Sequence, residues 1–341
     1  MGPEAQEEDL AVVHQRHEAI GYPSDLITGE ADVAAHMGSL FADWRSEGLS
    51  VCLHEHRGGF AFNRESMEGL AGRAREAGAR IEGGVEVTGF ALDGAGAVTT
   101  VHTDRGDVAV GEQVVVAVGP WVKGLWEQLG LPRRLDVRTP AGELHRDQEM
   151  WTYWYLQEGE VGVDPSSYAT ARDGLPPVIH VDSGVPLVDD DGRTLTEEPW
   201  GIYVKRDRDG VQGGAAPLPK GHDFALDPYP SGSVEPGFPD LFCAALSRCF
   251  GRFEGVRPSY RDARSGGVGC FTVDNFPVFD HMRPNVYVIA DSNHGYKMIA
   301  VGREVARILQ GEHSSLLHPF RYERFASGDL HPVSHSPYPW S

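Results

Sequence analysis

The feature that most constrains the fold of this 341-residue chain is a long stretch without helical periodicity between two regions of mixed helix and strand character. Residues 114–118 form an apolar run, Val-Val-Val-Ala-Val, which is typical of a parallel strand covered on both faces. Residues 133–260 are instead rich in proline, glycine and aromatic residues, with alternating segments typical of antiparallel strands. From residue 266 the first pattern returns, with a strand-like run at 286–290 and then an amphipathic helical pattern. The sequence therefore predicts an α/β (α+β) protein in which a second domain interrupts the first.

This reading divides the chain into four segments. Residues 1–132 and 262–312 form the first domain, residues 133–261 form the inserted antiparallel domain, and residues 313–341, rich in His, Ser and Pro, form a tail that we expect to be irregular. Within the first segment, periodicity and turn residues predict helices around 9–20, 30–47 and 64–77, the last with Asn63 as cap and Gly78 as stop, and strands at 50–56, 85–92, 98–103, 108–110 and 113–118.

Charge and cysteine content limit the function classes. The 30 basic and 50 acidic residues give a formal net charge of -20 without a basic stripe, which disfavours binding to a nucleic-acid backbone. The four cysteines show no CxxC spacing and favour reduced thiols in the cytoplasm. No run of 18 apolar residues predicts a membrane span. With only four lysines among the 30 basic residues, the composition suggests a GC-rich bacterial gene.

A polar loop at residues 291–298, Asp-Ser-Asn-His-Gly-Tyr-Lys-Met, lies between the predicted strand 286–290 and the following helix. Loops in this position offer backbone N–H groups to anions or electron-rich rings at helix N-termini. An ordinary strand-to-helix turn is the alternative interpretation.

Three segments in order resemble a known family: VEVTGF (85–90), VVVAVGPWVKGLWEQLGL (114–131) and CFTVDNFPVFDHMRPNVYVIADSNHGYKMIAVGREVARIL (270–309). They are similar to the D-amino acid oxidase and sarcosine oxidase-like family of FAD-dependent oxidoreductases, from about residue 58 to residue 311. The resemblance implies a FAD/NAD(P)-binding Rossmann-like domain with an inserted antiparallel β-sheet substrate domain, and FAD as cofactor.

The resemblance also implies site residues. Lys297 would hold the substrate carboxylate and His294 would tune the charge of substrate or flavin, which makes these two the predicted catalytic residues. Val87 would contact the adenine side of FAD through its backbone. The full set of predicted cofactor-binding residues is Val87, Ala117, Val118, Gly119, Asn293, His294, Gly295, Tyr296 and Lys297.

The chain departs from the family pattern at three places. Residues 1–60 contain no match to the G-x-G-x-x-G turn that cradles the FAD pyrophosphate, so we expect an N-terminally incomplete domain completed by a missing N-terminal segment or a partner subunit. In the sarcosine oxidase branch a cysteine seven residues before the aspartate of the T-x-D stretch is bonded to flavin; here that position is Gly267, which predicts non-covalent FAD. A lysine that activates oxygen in that branch aligns near Gln212.

Two further patterns carry weaker predictions. His54 and His56 alternate on a predicted strand and share a face, but the sequence assigns no third ligand, so no metal site is predicted. Trp151, Tyr153 and Tyr155 would share one strand face and either surround a cationic amine or pack in a core, the core being the commoner role.

Together these observations predict an FAD-dependent oxidoreductase that oxidises the C–N bond of an amino acid or N-methylated amine by hydride transfer to flavin. Its partner would be a small-molecule amine or amino acid, with no nucleic acid and no membrane span. Flavin-dependent oxidation of a 2-hydroxy acid, with His294 as base, is the enzymatic alternative. A non-catalytic truncated subunit or binding module is the alternative of another class.

Overall fold

The computed structural model describes residues 1–45, 47–215, 217–227, 229, 234–261, 266–290, 300–332 and 334–336. It contains helices and antiparallel sheets together with one parallel strand pair, so the predicted α/β (α+β) class is confirmed. No helix in these ranges is long and apolar enough to cross a membrane.

The first 80 residues form three helices and a strand pair. In chain order these elements are α1 (Glu7–Ala19), β1 (Ser24–Thr28), α2 (Glu30–Leu40), β2 (Val51–Glu55) and α3 (Asn63–Glu76). Helix α2 buries Val33, Met37 and Leu40, one turn apart on one face. Strands β1 and β2 pair antiparallel, with Asp25 opposite His54. The three predicted helices and the strand at 50–56 are thus confirmed, except that the second helix ends at Leu40 and not at the predicted residue 47.

Helix α3 differs from its prediction in two details. Asn63 is its first residue and Phe62 occupies the cap position, so the predicted Asn63 cap is wrong, whereas Gly78 follows the helix with a φ of +94° as a stop requires. Its apolar residues Met67 and Leu70 are 61% and 45% exposed. The apolar spacing therefore predicted the helix correctly, but the apolar residues of α3 are not buried against any described residue.

A meander and a short strand precede the inserted region. They comprise β3 (Val87–Leu92), β4 (Val98–Thr103), β5 (Gly106–Ala109), β6 (Val114–Val116) and α4 (Val122–Gln128). Strand β6 is shorter than the predicted run 113–118, and Val115 is 42% exposed, so the expectation of a strand covered on both faces is wrong for the described chain.

The middle of the chain is dominated by antiparallel strands. They are β7 (Arg134–Arg138), β8 (Leu144–Glu149), β9 (Trp151–Val161), β10 (Ile179–Ser183), β11 (Leu187–Val188), β12 (Thr194–Thr196), β13 (Trp200–Arg206), β14 (Val211–Ala215) and β15 (Leu218–Gly221). This region also contains α5 (Phe238–Cys249), which the sequence did not predict and which buries eight of its twelve residues.

The last segment runs from β16 (Tyr260–Arg261) and β17 (Gly266–Thr272) through β18 (Val278–Arg283) and β19 (Val286–Ala290) to α6 (Val301–Leu309) and α7 (Arg324–Ser327). The expectation of an irregular tail is wrong at α7, where Arg324 and Phe325 are buried. The Arg324 guanidinium donates to both carboxylate oxygens of Asp274, at 2.7 and 2.8 Å. This buried ion pair fastens the tail to the turn after β17.

The largest sheet has seven strands with β9 at its centre. Strands β14 and β15 pair with successive parts of one edge of β9, and β13 and β10 continue the sheet beyond β14. Strands β16 and β17 pair with the other edge of β9. Because β17 belongs to this sheet, the sheet extends past residue 261, where the sequence boundary was placed; the division into domains stays a prediction. A smaller sheet, β18-β19-β6, contains the parallel pair β19 and β6.

Two main cores hold these layers together. One joins α2 and the β1–β2 region to α5 and one end of the large sheet, and the other joins β6, α4 and β19 to the opposite end of β9. Strand β9 contributes to both cores and therefore links the two halves of the molecule.

Candidate functional site

The predicted site residues fall into two groups in the structure. Asn293, His294, Gly295, Tyr296 and Lys297 lie outside the described residues, as does the rest of the 291–299 stretch. Val87, Ala117, Val118 and Gly119 are described. The predicted catalytic pair, His294 and Lys297, therefore stays a prediction.

The turn Ala117–Val118–Gly119 follows β6 at the carboxyl edge of the parallel pair. Val116 pairs with Val288, so both strands run toward the same edge, and the chain leaves β19 at Ala290 on that edge. Gly119 has a φ of +56°, a left-handed conformation that favours glycine. Among the described residues, no atom beyond its chain neighbours lies within 4 Å of a Cβ added there. The open space around Gly119 is compatible with close approach of a ligand to the backbone.

Val87 lies at the start of β3, where it pairs with Thr103 and is half-buried. The meander that contains it is anchored beside β19, because the Asn285 side chain accepts a hydrogen bond from the backbone N–H of Val98 and donates one to its carbonyl, both at 2.8 Å. Asn285 directly precedes β19, so the meander and the parallel pair form one unit.

The two faces of β9 differ sharply in exposure. Trp151, Tyr153 and Tyr155 are 1%, 3% and 5% exposed and belong to the second core. Trp151 packs edge-to-face against Trp126 with ring centroids 5.4 Å apart. The alternative that these aromatic residues pack in a core is thus confirmed, and the amine-cage interpretation is wrong because their face is closed by packing.

The opposite face of β9 is half-buried and carries polar groups, which the sequence analysis did not identify as a site. The Glu158 carboxylate accepts a hydrogen bond from the Tyr203 hydroxyl at 2.8 Å and another from Nε2 of Gln212 at 2.8 Å. These residues come from β9, β13 and β14, and the sheet register places them on one face. We call Glu158, Tyr203 and Gln212 the carboxylate cluster.

The edge of the carboxylate cluster is bordered by a lysine and two aromatic rings. Lys205 lies opposite Gln212 in the register of β13 and β14. Its Nζ lies 5.3 Å from the ring centroid of Phe60 and 5.5 Å from that of Phe62, within the range of a cation–π contact. The segment between β2 and α3 is thereby held beside this face. The one sequence feature that could have drawn attention to Lys205 is the scarcity of lysine, because the chain has only four.

Gly267, at the flavin attachment position implied by the resemblance, lies on this same face. It pairs with Leu156 of β9, two residues from Glu158, and directly paired residues of antiparallel strands point to the same side. Burial raises the pKa of the nearby Cys270 thiol to about 12, so that thiol is protonated at neutral pH. Cys270 is 1% exposed, which makes it unsuited to covalent attachment.

At the other end of this face, Thr152 and Trp154 line a cavity of about 390 Å³. Its remaining wall includes Thr272, Asn275 and His222, with the charged residues Arg134 and Glu149 at one side. A cavity of this size is large enough for a small-molecule ligand. The half-buried face of β9 therefore carries a polar cluster at one end and a cavity at the other.

Comparisons with known proteins place this architecture in a family. Residues 2–308 match the family described as DAO, FAD dependent oxidoreductase. Among solved structures, the chain is similar to L-proline dehydrogenase from P. horikoshii, with 18% identity, a TM-score of 0.68, and coverage of 97% of this chain and 77% of that one. No curated protein sequence matches the chain.

Two other solved structures share the fold. A modified fructosyl peptide oxidase from Aspergillus nidulans has 18% identity and a TM-score of 0.63, with coverage of 96% of this chain and 73% of that one. NikD, an amino acid oxidase essential for nikkomycin biosynthesis, has 15% identity and a TM-score of 0.58, with coverage of 98% and 75%. These identities establish a common fold, and the family match extends over most of the chain. The chain thus belongs to the DAO family of FAD-dependent oxidoreductases, with FAD as its cofactor.

Proposed function

We propose that this oxidoreductase oxidises the C–N bond of an amino acid or an N-methylated amine. The observation that carries the proposal is the position of Glu158. Gly267 is the flavin attachment position implied by the resemblance, and the oxygen-activating lysine of that branch aligns near Gln212. These two residues lie on the same face of one sheet, on opposite sides of the strand that carries Glu158. A carboxylate beside the flavin suits a substrate that becomes positively charged during oxidation.

The chain's own residues fit FAD at the turn Ala117–Gly119. The left-handed Gly119 leaves room for the dinucleotide to approach the backbone, and Gly267 lacks a side chain that would bond to the ring. When bound, FAD accepts the hydride that the substrate loses. Binding without a covalent bond is part of the proposal, and flavin should be released completely on acid precipitation of the protein.

Glu158 has a defined part in the proposed reaction. Removal of a hydride from the carbon next to a neutral amine leaves an iminium cation on the substrate. The Glu158 carboxylate, oriented by Tyr203 and Gln212, stabilises that positive charge as it develops. Lys297 is proposed to pair with the substrate carboxylate, and His294 to tune the charge of the substrate or flavin.

The names of the structural neighbours support this substrate class. L-Proline dehydrogenase, fructosyl peptide oxidase and the amino acid oxidase NikD are named for amino acids or peptides. Oxidation of a 2-hydroxy acid remains the second candidate, with His294 as the base that takes the hydroxyl proton. The group formed is then an uncharged carbonyl, which gives Glu158 no cation to stabilise.

The test compares matched substrates with the FAD-loaded protein under anaerobic conditions. Alanine, N-methylalanine and lactate share a carbon skeleton and differ in the group that is oxidised, and a proline and sarcosine series extends the set in both enantiomers where they exist. We expect loss of the oxidised-flavin absorbance with at least one amine and none with its hydroxy-acid counterpart. Loss with hydroxy acids alone would establish the second candidate. Binding of FAD without reduction by either class would indicate a non-catalytic binding module.

We also propose that the protein works in the cytoplasm of a bacterium. All four cysteines, Cys52, Cys243, Cys249 and Cys270, are buried and no disulfide joins any two of them, as is common in a reducing compartment. Fractionation of the native host with an antibody against the chain tests this location.

A further inference from the structure

A cluster of imidazole and carboxylate groups lies on the β1–β2 pair, away from the carboxylate cluster described above. Asp25 on β1 is directly opposite His54 on β2, and His56 follows two residues later. The potential ligand atoms of these three residues all lie within 4.8 Å of one another. Among the described residues this is the one group of three or more histidine, cysteine or acidic side chains that meets that condition.

Helix α2 places a further imidazole, that of His36, against His54, outside the group of three. Nε2 of His36 lies 3.0 Å from Nδ1 of His54, and the two rings meet nearly edge-to-face. On the other side, Nε2 of His56 lies 2.9 Å from a carboxylate oxygen of Asp25. For metal–ligand bonds of 2.0–2.1 Å in a tetrahedral site, neighbouring ligand atoms are about 3.3 Å apart. The Asp25–His56 pair therefore has nearly the spacing of a tetrahedral edge, and the His36–His54 contact supports the ring of His54.

We propose that Asp25, His54 and His56 form a binding site for a divalent transition metal, with Zn²⁺ as the favoured ion. Two imidazole nitrogens and one carboxylate oxygen, with water in the fourth position, are a donor set that suits Zn²⁺. The ion would join the two strands of the pair, and His36 on helix α2 would orient the His54 ring from outside the ligand set. Asp25 supplies the third ligand that sequence spacing alone could not assign to His54 and His56.

Exposure is compatible with entry of the ion. Asp25 and His56 are 55% and 37% exposed at their side chains, whereas His36 and His54 are half-buried between the helix and the strand. The contact with His36 preorganises His54, and the exposed Asp25 and His56 provide access. Arg172 is near enough to act electrostatically on His36 and His54, and its positive charge opposes cation binding. Replacing Arg172 should therefore strengthen metal binding.

The alternative is that the four side chains are joined only by hydrogen bonds, one between the imidazoles and one between Asp25 and His56. The structure offers a matched control for this alternative. His102 pairs with Asp107 at 2.8 Å on an exposed hairpin, with an exposure similar to that of His56. That pair has the same chemistry as His56 and Asp25, but it is not part of a group of three.

The experiment titrates the untagged, FAD-loaded chain with Zn²⁺ in competition with a chromophoric chelator, because a polyhistidine tag would itself bind the ion. We expect one Zn²⁺ per chain. His54→Gln and His56→Gln should each weaken binding at least about 10-fold, and His102→Gln should leave it unchanged. Co²⁺ should give the intense visible absorption of a tetrahedral nitrogen–oxygen site in the wild type and lose it in His54→Gln.

Folding of the variants is checked by thermal unfolding with and without Zn²⁺. The ion should raise the melting temperature of the wild type more than that of the ligand variants. Asp25→Asn replaces an exposed side chain and tests the site if His54→Gln fails to fold. Equal Zn²⁺ affinity in the wild type and in His36→Gln/His54→Gln/His56→Gln, or equal weakening by His102→Gln, would overturn the proposal.

Discussion

The two faces of strand β9 show how one sequence pattern separates packing from chemistry. Trp151, Tyr153 and Tyr155 alternate with Trp154 and Glu158 along eight residues, so the pleat sends the two sets to opposite sides of the sheet. The aromatic set is closed into a core, whereas the other set is half-buried and carries a hydrogen-bonded carboxylate. The buried aromatic residues of this strand thus contribute to stability, and the half-buried residues between them, Trp154 included, line the candidate site.

The largest effect we predict comes from Trp151→Ala on the buried face. Removing this fully buried indole should lower the free energy of unfolding by about 3–5 kcal/mol, because it leaves a cavity against Trp126. Trp154→Ala, three residues later on the half-buried face, is the matched control and should cost about 1 kcal/mol. Urea unfolding of both variants measures the difference, and equal losses would contradict the separation of the two faces.

The second prediction concerns Glu158→Gln on the half-buried face. The substitution keeps the size of the side chain and removes its negative charge, so kcat for an amine substrate should fall about 10- to 100-fold, equivalent to ~1.5–3 kcal/mol for a lost charge-assisted interaction. The free energy of unfolding should change little. Tyr203→Phe, which removes one of the two hydrogen bonds to Glu158, should have a smaller effect on kcat. A kcat unchanged by Glu158→Gln would remove Glu158 from the proposed reaction.

The third prediction compares two neighbouring glycines of β14 that meet different parts of Tyr203. A Cβ on Gly214 would overlap the Tyr203 ring, so Gly214→Ala should push that side chain away from Glu158 and lower kcat about 3- to 10-fold, the loss expected for one hydrogen bond. A Cβ on Gly213 would overlap the backbone carbonyl of Tyr203, which cannot rotate away. Gly213→Ala should therefore destabilise the fold by on the order of 1–3 kcal/mol. Gly214→Ala should therefore affect kcat more than the free energy of unfolding, and Gly213→Ala should affect the free energy of unfolding more than kcat. Both quantities are measured on both variants.

These comparisons also show which features local sequence could predict. Helix α3, the meander and strand β2 were predicted because their patterns lie within 20 residues. Helix α5, Phe238–Cys249, was missed because it lies in a stretch whose proline, glycine and aromatic content was interpreted as antiparallel strands throughout. One helix of twelve residues inside a strand-rich region is hidden when a single character is assigned to the whole region.

The candidate site was harder to predict because it is assembled from distant strands. Glu158 and Gln212 are 54 residues apart in sequence, and only the register of β9 with β14 brings them together. Asp25 and His54 are likewise joined by strand pairing. A single sequence records which residues alternate, but it does not record which strands are neighbours. The resemblance to a family supplied the cofactor class, which the family match confirms.

The smallest effect we predict is a pH dependence at Glu160, the next residue on the half-buried face. Burial raises the pKa of Glu160 above its usual value, and Asp207 and Asp209 add to the rise, while the Arg261 guanidinium at 3.3 Å opposes it. A carboxyl whose pKa is higher in the folded than in the unfolded chain retains its proton on folding. Its contribution to stability is therefore present below the unfolded pKa of about 4.3 and is lost as the pH rises through the folded pKa.

Glu160→Gln removes this loss, so the variant should gain stability relative to the wild type between pH 4 and pH 7, by about 0.5 kcal/mol. Urea unfolding of both proteins across this range measures the gain. A relative stability that instead falls with pH would show that the ion pair with Arg261 dominates, and that this face of β9 tolerates its charges as well as an exposed surface does.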